Sequence, residues 1–179
     1  PVTPVQILWV NMITAVTLGL TLAFEPVEPG AMRRPPRAPD EPFLSGFLVW
    51  RIVFVSVLFV IAAFGVFFWT LARGLPLELA RTMVVNTIVV MQIFYLFSIR
   101  YAHGPSLTWT GVLGTPAVLI GVSAVVVAQL IFTYVPWMQI VFTTRPVALA
   151  DGLVIVAIGI ALFLAVEAEK HLMDRWRRR

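Results

Sequence analysis

At 179 residues the chain has the length of one ordinary soluble domain, but 60% of it is hydrophobic and only 12% charged, roughly half the charged share of soluble domains. So apolar a chain lacks the polar surface to cover itself in water, which excludes a soluble globular fold. The absence of cysteine excludes disulfide scaffolds, thiolate metal sites and cysteine nucleophiles, and the formal net charge of +4 takes its meaning from where the charges stand.

The charges avoid whole stretches. None lies between Arg51 and Arg73, between Arg81 and Arg100, between Arg100 and Arg145, or between Asp151 and Glu167. Lipid offers no partner for a charge or an open backbone group, so charge-free apolar runs of about 18 residues or more read as spanning helices. The fold class expected is all-α, a polytopic membrane helical bundle of about five transmembrane helices.

In chain order, residues 1–24 form the first span, with Pro4 in a helical first turn where its missing N–H costs nothing. This segment lacks the basic start and cleavage site of a secretory signal. Residues 25–51 form a water-facing linker rich in proline and arginine, with 41–47 a short interfacial stretch. Span two covers 52–72, and a short turn at 73–80 makes it an antiparallel neighbour of span three at 81–99. A linker at 100–115 leads to span four at 116–135. Arg145 and Pro146 mark 136–150 as a loop, span five covers 151–168, and 169–179 is a basic tail. Trp50, Trp69, Tyr101, Trp109, Tyr134, Trp137 and Trp176 fall near span ends, at headgroup level.

Five spans put alternate connections on opposite sides. One side collects Arg33, Arg34, Arg37, Arg51, Arg100, Lys170, Arg175, Arg177, Arg178 and Arg179; the other has only Arg73, Arg81 and Arg145. The positive-inside rule then predicts a multi-pass protein of the cell membrane with its proline-arginine linker and C-terminus cytoplasmic. The basic clusters abut helix ends, where they meet anionic headgroups, so the expected partner is the lipid bilayer and no nucleic acid.

Polar residues inside spans are costly enough to mark candidate sites. Asn11 and Thr14 share a helix face that Thr17 extends, and their oxygens could coordinate a partly dehydrated cation. Asn86, Gln92, Tyr95 and Ser98 mark span three, with Gln92, Tyr95 and Ser98 on one face. Read from the residues alone, helix–helix hydrogen bonding is the favoured account of both stripes, ahead of a ligand role. Glu167 and Glu169 are expected to pair at the surface with Lys170 and the tail. No span has a central acid, and a neutral site holds a divalent cation poorly without carboxylates from elsewhere.

The run Thr3-Pro-Val-Gln-Ile-Leu-Trp-Val-Asn11-Met-Ile-Thr14, followed by Leu-Ala-Phe-Glu25-Pro and Met32-Arg-Arg-Pro-Pro-Arg37, resembles the sixth transmembrane helix and following cytoplasmic loop of P-type cation-transporting ATPases of the calcium and sodium/potassium pump class. The resemblance implies that the later spans are the family's seventh to tenth helices. It gives Asn11 and Thr14 the places of an Asn and a Thr in the ion site, with Ala15 where the family has an aspartate. Gln92 best matches the acid or amide of the eighth helix. Met32, Arg33, Arg34 and Arg37 fall in the loop that couples the helices to cytoplasmic catalytic domains. The resemblance also implies an inorganic cation as cargo and, as partners, upstream helices and the catalytic domains of a parent chain. The phosphorylation motif DKTG, the TGE motif and the hinge TGDGxxD are absent from these residues. No catalysis or cofactor is therefore expected of this stretch alone, ATP and Mg2+ belonging to the intact pump. Alternatives are a structural membrane module that has lost transport, and a small independent channel.

Overall fold

The computed structural model describes residues 1–24, 46–100 and 116–177. Residues 25–45 and 101–115 of the two expected linkers, and with them Met32, Arg33, Arg34 and Arg37, lie outside the described residues. Within them the chain is all helix: α1 (Pro4–Ile13), a π turn (Thr14–Leu18), α2 (Gly19–Ala23), α3 (Gly46–Ala72), α4 (Leu77–Arg100), α5 (Pro116–Tyr134), α6 (Pro136–Phe142) and α7 (Leu149–Arg177). Four stretches are long and apolar enough to cross a membrane: Leu48–Ala72, Leu77–Ile99, Pro116–Tyr134 and Leu149–Met173. The first segment is broken into pieces of ten, five and five residues, which end to end reach about 30 Å, the thickness of a hydrocarbon core.

Local chemistry sets the helix ends. Thr3 caps α1 through a capping box: its hydroxyl accepts the Gln6 N–H at 3.4 Å, the Gln6 side-chain oxygen accepts the Thr3 N–H at 3.1 Å, and Pro4 follows in the first turn. Helix α3 begins before the expected residue 52 because Glu169 neutralises Arg51 at 2.9 Å, so this charge does not end the helix. It stops at Gly74, whose φ of +72° lets its N–H reach the Leu71 carbonyl at 2.9 Å. Helix α4 starts at Leu77, ahead of the expected 81, with Glu78 in a first turn that favours an acid. Part of the expected loop 136–150 is the short helix α6, closed by Thr143 at φ 52°. Helix α7 runs through Arg177, well into the expected tail, and its Glu167–Lys170 pair at 2.7 Å bridges one turn across the point where the apolar run ends.

Helix α4 is the post of the bundle. On one side it packs against α3 and α7, on the other against α1, the π turn and α5. Trp9, Val10, Ile13 and Leu18 meet Val85, Val89 and Leu96 of α4 and Val118, Val125 and Phe132 of α5; Val55 of α3, Met91 of α4 and Leu162 and Val166 of α7 form the opposite cluster. Bilayer tails are as apolar as these side chains, so close packing rather than water exclusion holds the helices together. Gly121 and Gly159 permit it. A Cβ on Gly159 would sit 2.5 Å from the Phe94 ring and 2.8 Å from Val90, and one on Gly121 would sit 2.1 Å from the Thr21 methyl. Helix α6 folds back so that Phe142 and Phe132 flank Trp9 with ring centroids 5.1 and 5.2 Å away, and Gln6 Nε2 donates to the Phe142 carbonyl at 2.9 Å.

Charges sit at both ends of the antiparallel pair α3 and α7. At one end Arg51 meets Glu169; at the other Arg73 meets Asp151 at 2.5 Å and lies over the Trp69 ring at 4.5 Å. Arg73 follows the C-terminus of α3 and Asp151 stands in the first turn of α7, so each charge also matches its helix dipole. Glu167 was expected at the surface but is only 5% exposed. Its Oε1 accepts from Ser98 at 2.8 Å and from Lys170 at 2.7 Å, and Lys170 also donates to the Ser98 carbonyl.

Two stability outcomes follow. Gly159→Ala, which forces a Cβ against Phe94, is expected to cost about 1–3 kcal/mol in denaturant or thermal unfolding in detergent, while Gly65→Ala, with nothing within 4 Å and inside α3, does not lower the midpoint. Glu167→Ala, which removes a shared acceptor from a buried lysine and serine, is expected to cost about 3 kcal/mol in the same assay. Wild-type midpoints for Gly159→Ala and Glu167→Ala would contradict the packing described.

Candidate functional site

The first segment departs from α-helix at Thr14, inside its stretch of buried and polar residues. Thr14 donates its hydroxyl to the Val10 carbonyl at 2.7 Å, and Thr17 donates to the Ile13 carbonyl. Such back-bonding competes with the backbone ladder and bends helices. The widened turn is then closed by the bond from the Gly19 N–H to the Thr14 carbonyl. π turns of this kind concentrate at functional sites, because they shift side chains out of α-helical register.

Facing the turn is a cavity of about 250 Å³, lined by Thr14, Ala15, Leu18 and Gly19 on one side and by Gln92, Tyr95, Leu96 and Ile99 of α4 on the other. The α4 residues recur at the spacing of a single helix face. The cavity thus unites Thr14 and Gln92, two of the three residues read from sequence as cation ligands, and adds Tyr95. Gln92 Oε1 is buried and has no hydrogen-bond partner among the described residues. The Thr14 hydroxyl uses its proton on Val10, which leaves its oxygen lone pairs to accept or to coordinate. Every group in the lining is neutral, and the described residues contain no cluster of three His, Cys, Asp or Glu that could hold a metal ion.

The other sequence candidates lie elsewhere. Asn11 is exposed on the outer face of α1, near exposed Leu8 and Met12, and does not line the cavity. Thr17 is half-buried, with its carbonyl 3.4 Å from the position a Gly121 Cβ would take. Asn86 bonds to Thr133 of α5 at 3.1 Å and to the Thr82 carbonyl at 2.9 Å, which is helix packing. Ser98 is fully buried on Glu167. Sequence reasoning gave little weight to Gln129, yet it is buried and accepts the Trp9 indole N–H at 3.3 Å. The signal was available: Trp9 lies inside a span, away from the headgroup zone, and an indole there needs an acceptor.

Comparison with known proteins agrees in its coarse outline with these features. The family described as "Cation transporting ATPase, C-terminus" matches residues 1–172. The chain is 45% identical over 176 residues to the "Probable cation-transporting ATPase F" of Mycobacterium tuberculosis (strain ATCC 25618 / H37Rv), covering 96% of this chain and 19% of that protein. It is 35% identical over 154 residues to the "Cation-transporting ATPase pma1" of Synechocystis sp., covering 82% of this chain and 17% of the relative. It is 28% identical over 173 residues to the "Calcium-transporting ATPase 1" of Yarrowia lipolytica, covering 97% and 18%. The chain spans about a fifth of the length of the curated relatives it matches. Helices long and apolar enough to cross a bilayer, a broken first segment with a cavity lined by Thr14 and Gln92 at its break, and a match over nearly the whole chain converge: the chain belongs to the cation-transporting P-type ATPase family, as its C-terminal membrane region.

Proposed function

We propose that the cavity at the π turn is this region's share of a cation site, and that the helices carry the cation path of a pump whose phosphorylation takes place in catalytic domains elsewhere in the parent chain, with ATP and Mg2+. The observation that carries this reading is that Thr14, Ala15 and Gln92 line one cavity, with the Gln92 carbonyl oxygen buried and unsatisfied among the described residues. A buried oxygen without a donor is costly in a bilayer and is relieved by a cation. Oxygen ligands suit hard cations, but neutral ones neutralise no charge. Ala15 lines the cavity where a carboxylate would have supplied it. The remaining ligands, and the charge, then come from upstream helices packed over the exposed face of α1, where Asn11 waits on the open side. The seventh-to-tenth helix numbering of the later spans, the cytoplasmic placement of the basic linker and C-terminus, and the coupling role of Met32, Arg33, Arg34 and Arg37 belong to the same proposal.

Cation-dependent phosphorylation of the full-length pump tests it. Gln92→Ala and Thr14→Ala are each expected to weaken apparent cation affinity about tenfold, the value of one hydrogen-bond-strength contact to a charged group. Asn11→Ala is expected to act in the same direction. If all three leave the affinity unchanged, the site is elsewhere and the structural-module alternative gains. Ala15→Asp places a carboxylate in the cavity and is expected to raise affinity for divalent over monovalent cations, read in the same assay at fixed ionic strength.

A further inference from the structure

A second cavity, of about 260 Å³, lies between α4, α5 and α7, and the transport reading makes no use of it. Valines and isoleucines of the three helices form most of its wall. Its polar residues, Asn86, Gln129, Thr133 and Tyr134, gather toward the end where α4 begins and α5 stops. Asn86 and Thr133 satisfy each other at 3.1 and 3.2 Å, and the Tyr134 hydroxyl donates to the Val147 carbonyl at 2.8 Å.

Gln129 differs from them. It is 6% exposed, its Oε1 is taken by the Trp9 N–H, and its Nε2 has no hydrogen-bond partner among the described residues. An indole N–H can only donate, so the amide cannot turn over to relieve its own N–H. The cavity wall therefore carries one dry donor that needs an acceptor. Val126, Leu130 and Val156 on the lining are exposed, and all belong to membrane-spanning stretches, so the cavity is reached sideways from the bilayer.

We propose that this cavity holds one acyl chain of a glycerophospholipid, with the chain's ester carbonyl accepting from Gln129 Nε2. The depth suits that linkage: Gln129 lies about 7.5 Å along the axis from the end of α5 at Tyr134, near the edge of the hydrocarbon core. The volume falls just under the roughly 300–1,000 Å³ of clefts for bulkier ligands, which fits a single chain. At Gly152 a Cβ would meet nothing within 4 Å, so this glycine leaves open space at the α7 wall. No charged residue lines the cavity, so the site selects for the ester linkage and not for the headgroup.

The test uses the full-length pump in nanodiscs of phosphatidylethanolamine and phosphatidylglycerol, doped with phosphatidylcholine that carries a diazirine in mid-chain, with adducts located by mass spectrometry. Adducts are expected to concentrate at residues 126–130 and 152–156 over the exposed face of α3 at Val53, Val57 and Ile61. Gly152→Leu, which fills the cavity, is expected to lower them severalfold, whereas Gly65→Leu on α3 leaves them unchanged. On the unmodified protein an ether-linked probe is expected to label about three- to tenfold less than the ester, the worth of the carbonyl hydrogen bond, and this arm stands even if Gly152→Leu does not fold. Labelling spread evenly over the lipid-facing helices overturns the proposal, as does equal labelling by ester and ether probes. Absence of adducts at these residues, the result if upstream chain covers the cavity, overturns it too.

Discussion

Helix α4 has protein on both sides and, in a bilayer, no water along its middle. Each polar side chain it carries must be satisfied by its own backbone or by a neighbouring helix, and those requirements organise the bundle. Thr82 and Thr87 bond back to carbonyls of their own helix, Asn86 reaches α5, and Ser98 reaches α7. Thr82 also accepts the Arg145 N–H at 3.0 Å, which ties the chain after α6 to the start of α4. Gln92 is the residue on this helix whose acceptor is left over among the described residues, and it lies at the break in the first segment. Arg81 Nε near the start of the helix is likewise buried without a partner among the described residues, but of the two only Gln92 lines a cavity.

The spans were readable because charge avoidance is a one-dimensional signal: a stretch without a charged residue needs no partner to be recognised as apolar. The ends were less readable because they depend on residues far away in the chain. Arg51 looked like a boundary and stands within α3 because Glu169 meets it; Glu167 looked like a surface acid and is buried because Ser98 and Lys170 share it. In the site, Thr14 and Gln92 could be named from sequence, but their meeting across a cavity could not. The separation of Asn11 from Thr14 was also hidden. Three-residue spacing puts them on neighbouring parts of one helix face, and which part of that face borders α4 is set by packing: Thr14 lines the cavity and Asn11 is exposed.

Each of the two cavities is lined by a residue with a buried polar atom that has no partner among the described residues. One lies at the π turn and offers an acceptor, Gln92 Oε1; the other lies between α4, α5 and α7 and is lined by Gln129, which carries a donor, Nε2. Acceptors suit cations and donors suit carbonyls, so this opposite polarity is what the two proposals rest on. Trp9 lies between these assignments: it packs in the same cluster as Leu18 and Leu96 of the first cavity and donates to Gln129 of the second.

The paired charges at the two ends of α3 and α7 have a consequence for the surrounding membrane. From Arg51 to Arg73 the helix advances about 33 Å, and from Asp151 to Glu169 its partner advances about 27 Å, which brackets the hydrocarbon thickness of a typical bilayer. The ion pairs act as fixed markers on a ruler. A thicker bilayer would draw the charges into hydrocarbon and a thinner one would push apolar turns into water, and in either case the cheapest response is for the pair to tilt as a unit against α4. Bilayer thickness thereby becomes a mechanical input to the helix that forms one wall of the cavity at the π turn.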